Sequence, residues 1–357
     1  MKKKTKILIT VLSVILVIAA LCGSAAYFTL LYRYKGKPAT EVFDPDEPFD
    51  IDNIAALEKN ETSDFVILNL TDVQMCDLED IPHMSTIHAE LTYLVNLVKP
   101  DLITLTGDQT WSNENLISLR SLISWLDGYK IPYAPVFGNH DHGNEYDSAV
   151  AGINYCCDLY EGGKYSLFKR GPNNLGSLGN YAVTITEGDN IVSALYFLES
   201  GYLPSITDKQ KEWFSWTSEG IKSANGGEVP RGICFFHKPL PEYRDAYMGY
   251  LQGSAEASAL GEVYVTYSLS GSLQNGFFDI AKRSGVTDIV CGHQHGNNFT
   301  IKYQGVNLTF AMKTGELGGF YADEDVNLNG ATVLRIGENG ITTEHISVGK
   351  GAFHIYD

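Results

Sequence analysis

From residue 65 onward the chain alternates short apolar, β-branched runs with stretches whose apolar residues recur every three or four positions. The runs 65–70, 101–106 and 131–137 read as strands. Residues 83–98 (Ile87, Leu91, Leu94, Val95, Val98) and 115–126 read as helices. A strand–helix–strand–helix–strand order implies parallel strands with helices on the faces of the sheet. Beyond residue 180 the pattern changes. Residues 181–186 and 191–198, joined by Glu187-Gly188-Asp189-Asn190, predict an antiparallel hairpin. Residues 207–224 predict a helix whose Trp213, Phe214 and Trp216 serve the core, and 277–283 a further helix. Strands are predicted at 232–236 and 287–290, and two late ones at 332–336 and 341–346 close a second sheet. The expected class is α/β, of the α+β sandwich kind: two packed mixed β-sheets flanked by helices, with no internal repeat. Glycine-bearing stretches near 162, 171–179 and 315–319 lack phosphate-loop spacing and read as mobile loops.

The amino-terminal pattern is of another kind. Ile7 to Tyr32 are 26 consecutive residues without a charge. At ~1.5 Å per helical residue this run exceeds the ~30 Å hydrocarbon core of a bilayer. It predicts one transmembrane helix over 7–32 after a basic cytoplasmic tip, 1–6. The preceding lysines orient the amino terminus toward the cytoplasm and the body outside. A cleaved signal peptide, with small residues around Gly23 to Ala26, is the rival, leading to secretion. The apolar run continues through Tyr27 to Tyr32, which a mature secreted terminus does not need. Residues 33–63, acidic and carrying Pro38, Pro45 and Pro48, read as a linker, and 64–357 as one catalytic domain.

Composition narrows the partners. The 357 residues are 44% hydrophobic, enough for a large core, and the net charge is −17. All seven basic residues of 1–37 lie in the amino-terminal segment, leaving 19 basic and 43 acidic residues beyond it. Such a body repels nucleic-acid backbone, so no nucleic-acid partner is expected. A compact substrate fits better, and no protein partner is implied. Six cysteines in a chain this long do not make a disulfide scaffold.

Five short segments carry the chemistry: Thr71-Asp72-Val73-Gln74, Thr106-Gly107-Asp108, Gly138-Asn139-His140-Asp141, Phe236-His237-Lys238-Pro239 and Cys291-Gly292-His293-Gln294-His295. Each follows an apolar run and ends in carboxylate, carboxamide or imidazole, the donors that divalent and trivalent metals take. Asp72, Asp108 and Asn139 fall at carboxyl ends of strands, where ligands gather in such sheets. Asp72 and Gln74 flank Val73 in a period-2 segment, so both side chains can face one ion while Val73 points away. A lone Asp after a strand is usually a turn or cap; five donor segments in this order are not lone residues. His83, His88, His345 and His354 stand outside the segments and read as structural, with His142 adjoining the site. The aromatic, Ser- and Gly-rich stretch 264–275 reads as a possible substrate rim.

The five segments resemble the calcineurin-like metallophosphoesterases, whose pattern is D-x-H, G-D, G-N-H-[DE], H and G-H-x-H, over about 65–310. Leu195 to Gly201, Gln210 to Phe214 and Phe236 to Tyr243 resemble a purple-acid-phosphatase-like branch of that superfamily. The resemblance implies the superfamily's four-layer fold and a phosphoesterase acting on a small phosphorylated substrate through a dinuclear metal centre and metal-bound hydroxide. It implies one ion on Asp72, Gln74, Asp108 and His295, and a second on Asp108, Asn139, His237 and His293. It makes His140 the catalytic histidine, oriented by Asp141.

Two residues depart from the pattern. Gln74 stands where many relatives have histidine, weakening the first ion's site. Trp111 stands three residues after Asp108, where purple acid phosphatases place a tyrosine, so no iron-tyrosinate colour is expected. With no cysteine among the donors, iron, manganese or zinc suits the site. Gln74 also leaves open a different class: a metal-containing surface binding or sensor module with little turnover.

Overall fold

The computed structural model describes residues 3–33, 35–75, 81–111, 115–141, 152–201, 205–263, 275–315 and 329–348. After the amino-terminal helix α1 (Lys3–Arg33) come β1 (Ala55–Glu58), β2 (Phe65–Leu70), α2 (Ile81–Val98), β3 (Leu102–Thr106), α3 (Asn115–Tyr129), β4 (Tyr133–Val136) and α4 (Ile153–Glu161). The hairpin β5 (Tyr181–Glu187) and β6 (Asn190–Phe197) leads to α5 (Asp208–Ala224), β7 (Arg231–Phe235), α6 (Glu242–Leu251) and β8 (Glu256–Val263). The chain closes with α7 (Phe277–Arg283), β9 (Val286–Cys291), β10 (Asn297–Tyr303), β11 (Val306–Phe310), β12 (Gly330–Gly337) and β13 (Gly340–Ser347).

Two mixed sheets result. The five-stranded sheet runs β13-β12-β2-β3-β4, with β2, β3 and β4 parallel. The late strands therefore extend this first sheet and do not close the second. β12 pairs antiparallel with β2, Thr332 opposite Asn69. The reason lies in β2, whose Ile67, Leu68 and Leu70 are buried: its outer edge needs backbone partners that water cannot supply. The eight-stranded sheet runs β1-β5-β6-β7-β9-β11-β10-β8. Period-2 alternation divides its side chains between two cores. Leu195, Phe197, Ile233, Phe235 and Val290 join the core between the sheets. Ala194, Tyr196, Cys234, Phe236 and Ile289 join a second core with α5, α6 and α7. Tyr181, Phe197 and Phe235 form a ring stack with centroids 4.7 and 5.1 Å apart. Each such side chain contributes roughly 1.5–3 kcal/mol by burial. The Tyr243 hydroxyl lies 2.9 Å from Ile289 O and 3.2 Å from Thr309 O, tying α6 to β9 and β11 beneath the histidine loops.

The segment expected to be a linker is instead part of the body. Phe43 is buried in the second core and meets the Trp216 ring edge-on at 5.5 Å. Asn174 clamps Phe43 from both sides: Oδ1 accepts from Phe43 N and Nδ2 donates to Phe43 O, each 2.9 Å. Asn173 Nδ2 donates to Ala39 O and its backbone N to Glu41 O. Lys37 N donates to Asp158 Oδ2 on α4, while Arg170 Nη1 donates to Lys37 O. β1 then pairs parallel with β5. Proline-rich, acidic composition hid this strap because its backbone bonds go to side chains far along the chain. Two of those side chains, Asn173 and Asn174, sit in 171–179, so that stretch is a clamp and not the mobile loop its glycines suggested.

In α1, Ile9 to Leu21 present exposed apolar side chains, Leu16 at 70%. Among the residues described through their side chains, no helix is long and apolar enough to cross a membrane. In α1 these are residues 9–24, fewer than the ~20 that a bilayer core takes. The described cysteines are all free thiols.

Asn174→Ala removes two hydrogen bonds of ~1 kcal/mol each. We expect a loss of about 2 kcal/mol, read as a lower urea midpoint with the same slope, and faster proteolysis before residue 55.

Candidate metal centre

The five donor segments leave the carboxyl ends of parallel strands: β2, β3 and β4 in one sheet, β7 and β9 in the other. Packing the sheets face to face brings those ends to one rim. There the backbone turns sharply. Asp72, Gln74 and Asp108 have φ of 50° and His293 of 70°. Among the described residues only Lys99, Lys130 and Gln304 are further non-glycine residues with positive φ, and those lie in connections. A side chain in this region costs on the order of 1 kcal/mol or more, so the surroundings must impose it. They do so by hydrogen bonds: Asp72 N donates to Gly107 O (3.0 Å) and Gln74 N to Asp108 O (2.9 Å). The buried Lys313 Nζ donates to Asp72 O at 2.6 Å. Val73 is fully buried in the inter-sheet core, leaving Asp72 and Gln74 on the rim side.

All seven residues proposed as ligands from sequence meet here. Ligand atoms of Asp108, His237 and His293 lie within 4.8 Å of one another, as do those of Asp72, Asp108 and His295; Asp108 belongs to both groups. His237 Nε2 lies 3.2 Å from Asp108 Oδ2, 3.1 Å from Asn139 Oδ1 and 3.2 Å from His293 Nδ1. His295 Nε2 lies 3.1 Å from Asp72 Oδ1 and 3.2 Å from the Gln74 amide nitrogen. His293 also donates its backbone N–H to Asp72 Oδ2.

Charge compensation dominates the electrostatics. Burial raises the Asp108 carboxyl, but His237, by charge and hydrogen bond, and His140 hold it well below the usual carboxylate range. Asp72 is likewise lowered: burial opposes, and His295 prevails. Burial pulls His237 down, yet Asp108 lifts it to about 9. His293, buried and beside His237, falls to about 3. Without metal, one imidazole thus carries the positive charge that these oxygens require.

The residues fit a metal pair on three grounds. The donors are oxygen and nitrogen throughout. His237 Nδ1 is committed to Thr106 O at 2.9 Å, directing Nε2 into the cluster, the usual arrangement behind a ligating imidazole. The cradle also admits only glycine at two positions. A Cβ on Gly138 would enter Asp108 Oδ1 and its backbone N, and one on Gly292 would enter Thr71 Oγ1 and Asp72 Oδ2.

His140 donates its backbone N–H to Asp108 Oδ1 at 2.8 Å, and its Nε2 lies 3.9 Å from Asp108 Oδ2. Asp141, expected to orient this imidazole, braces the backbone: Oδ2 accepts from Gly138 N (2.7 Å) and Oδ1 from Thr110 N (2.9 Å). The ring found against His140 is the Trp111 indole, stacked at 4.1 Å and 18°. Sequence reasoning saw in Trp111 only a missing tyrosine, and passed over Lys313, which resembles any solvated lysine. Of the expected rim at 264–275 all but Asn275, and also His142, lie outside the described residues. His88 stacks on Trp125, and His345 Nδ1 lies 3.0 Å from Thr332 Oγ1, both away from the site.

Paired sheets with an oxygen- and imidazole-lined rim of this kind define a metallophosphoesterase. The chain belongs to the calcineurin-like phosphoesterase family, which matches residues 65–297. It is 26% identical over 252 residues to "Probable inactive purple acid phosphatase 29" of Arabidopsis thaliana, covering 62% of this chain and 60% of that protein. It is 25% identical over 312 residues to "Phosphatase DCR2" of Saccharomyces cerevisiae, covering 76% of this chain and 51% of that one. The chain thus spans between half and three-fifths of the length of these relatives. A solved purple acid phosphatase from yellow lupin (Lupinus luteus) seeds shares 14% identity at a TM-score of 0.45, over 83% of this chain and 53% of that one.

Two outcomes follow. A metal must displace the His237 proton, so affinity should rise with pH until about pH 9, by up to tenfold per unit. The metal-free protein should lose stability as pH climbs from about 6.5 to about 9, because a raised histidine stabilises only while protonated. Competition with a fluorescent chelator and pH-dependent melting read the two; a flat affinity profile counts against the assignment. Gly138→Ala should displace Asp108 and lower metal content at both positions with the far-ultraviolet dichroism retained.

Proposed function

We propose that this chain is a membrane-anchored, extracytoplasmic phosphoesterase that hydrolyses a phosphomonoester or phosphodiester. The observation that carries the reading is the pair of donor groups sharing Asp108, with the His140 imidazole at their edge. Asp72, Gln74, Asp108 and His295 would hold one ion; Asp108, Asn139, His237 and His293 would hold the second. Iron, manganese or zinc, bound there, supplies the Lewis acidity that activates water and offsets phosphoryl charge. The protein's own residues do the rest. Asp108 keeps the two donor groups in register. His140 Nε2, 17% exposed at the side chain, delivers a proton to the leaving oxygen. Asp141 fixes the turn carrying Asn139 and His140 through Gly138 N and Thr110 N.

The anchor is α1. Its support is the 26-residue uncharged run, a helix of 31 residues, and apolar side chains left exposed along it. A helix of that length rises roughly 45 Å. The basic residues that precede it place the body outside the cytoplasm. A second reading, a metal-containing binding or sensor module with little turnover, is favoured by Gln74 beside His295 and by relatives named inactive.

Full-length chain in detergent, loaded with manganese, iron or zinc, should hydrolyse nitrophenyl phosphate or its diester. Metal uptake without turnover of either would favour the sensor reading. His140→Ala should lower kcat by about 10²–10⁴-fold with metal retained; concurrent metal loss removes its catalytic role.

A further inference from the structure

In the branch this chain resembles, the position three residues after the bridging aspartate carries a metal-binding phenol. Here it carries an indole, which has one N–H donor and no lone pair to offer a metal. The side chain at this position therefore serves another end, and its contact shows which. Trp111 lies face to face with His140, centroids 4.1 Å apart and planes 18° from parallel. We propose that Trp111 is the positioning residue of His140: its indole face fixes the plane of the imidazole and turns the Nε2 edge toward Asp108. This inference rests on the phosphoesterase reading for its kinetic consequences, though the stack itself does not.

Three further contacts separate this arrangement from incidental packing. Trp111 backbone N donates to Met75 O at 3.0 Å, joining the main chain that bears the indole to the loop that carries Asp72 and Gln74. Thr110 N donates to Asp141, and His140 N donates to Asp108 Oδ1. The loops bearing the two rings are thus tied to each other on both sides of the stack, and to the bridging carboxylate. The imidazole is part-exposed, and its plane lies within 18° of the indole plane. A stacked aromatic pair is favoured beyond its area burial and holds the two planes together. His140 Nε2 then rests 3.9 Å from Asp108 Oδ2, at the edge of the donor cluster where a leaving oxygen departs. Because Trp111 acts through a proton donor, its removal should hurt esters with strongly basic leaving groups most.

The test uses full-length chain in detergent with Trp111→Phe, Trp111→Leu and wild type, metal content measured in each. In ¹³C-histidine spectra, with the His140 signals assigned by His140→Gln, the indole should shift those ring protons upfield. The shift should shrink in the Phe variant and vanish in the Leu variant. In kinetics, Trp111→Leu should lower kcat on phenyl phosphate about ten- to hundredfold at near-constant KM and full metal content. It should lower kcat much less on dinitrophenyl phosphate, and Trp111→Phe should restore most of the loss. Equal losses on both esters, a Leu variant as active as Phe, or loss of metal would overturn the proposal. So would His140 signals that do not respond to substitution at 111. If wild type turns over neither ester, the phosphoesterase reading falls, while the His140 shift still decides whether the indole sets the ring.

Discussion

Two carboxylates forced together where they keep almost no contact with water are the constraint on which the rest of this protein depends. Asp72 and Asp108 are each about 1% exposed. Neither can ionise there without positive charge within a few ångströms. His237 from the opposite sheet supplies that charge in the absence of metal, and it converges with the other donors as a metal pair requires. The two sheets are therefore joined by complementary electrostatics at the rim as well as by apolar packing below it. That double dependence accounts for the left-handed backbone at Asp72, Gln74, Asp108 and His293. The strain is tolerable because hydrogen bonds between the loops, and the buried ammonium of Lys313 on Asp72 O, leave those turns no alternative.

The donor residues were legible in the sequence because each sits beside a strongly apolar strand, and apolar strands announce themselves. Val73 between Asp72 and Gln74 is fully buried, as the spacing of the two donors predicts, although it lies three residues past the end of β2. What the sequence concealed was long-range and polar. Asn174 gripping Phe43 spans 131 residues, and Lys313 reaching Asp72 spans 241. Neither leaves a local pattern. The edge strands β1 and β8, the interior strands β10 and β11, and the short helices α4 and α6 escaped for a related reason. Residues such as the Ala55–Glu58 quartet are short, half-exposed and compositionally ordinary, and become strands only because β5 offers an edge. The late strands were recognised as strands but given to the wrong sheet, since pairing partners depend on which edge lies open.

Asp141 and Trp111 show how a residue's chemistry and its use can part. A carboxylate next to an imidazole invites the reading of a charge pair, and its oxygens also hold the backbone of Gly138 and Thr110. An indole in place of a ligating phenol invites the reading of a defect, yet it lies flat on the imidazole. In both cases the side chain acts on geometry, and geometry is what a residue type alone does not reveal.

The clamp on Lys37 has a further consequence. Arg33 ends α1, and Lys37 is already bonded to Asp158 and Arg170, so at most ~14 Å of chain joins helix to body. On that same helical turn, Cys156 Sγ lies 4.0 Å from Asp141 O. The donor-lined rim is thus a short tether away from the end of α1. Whatever fixes the end of α1 therefore also fixes, to within that tether, where the rim can lie.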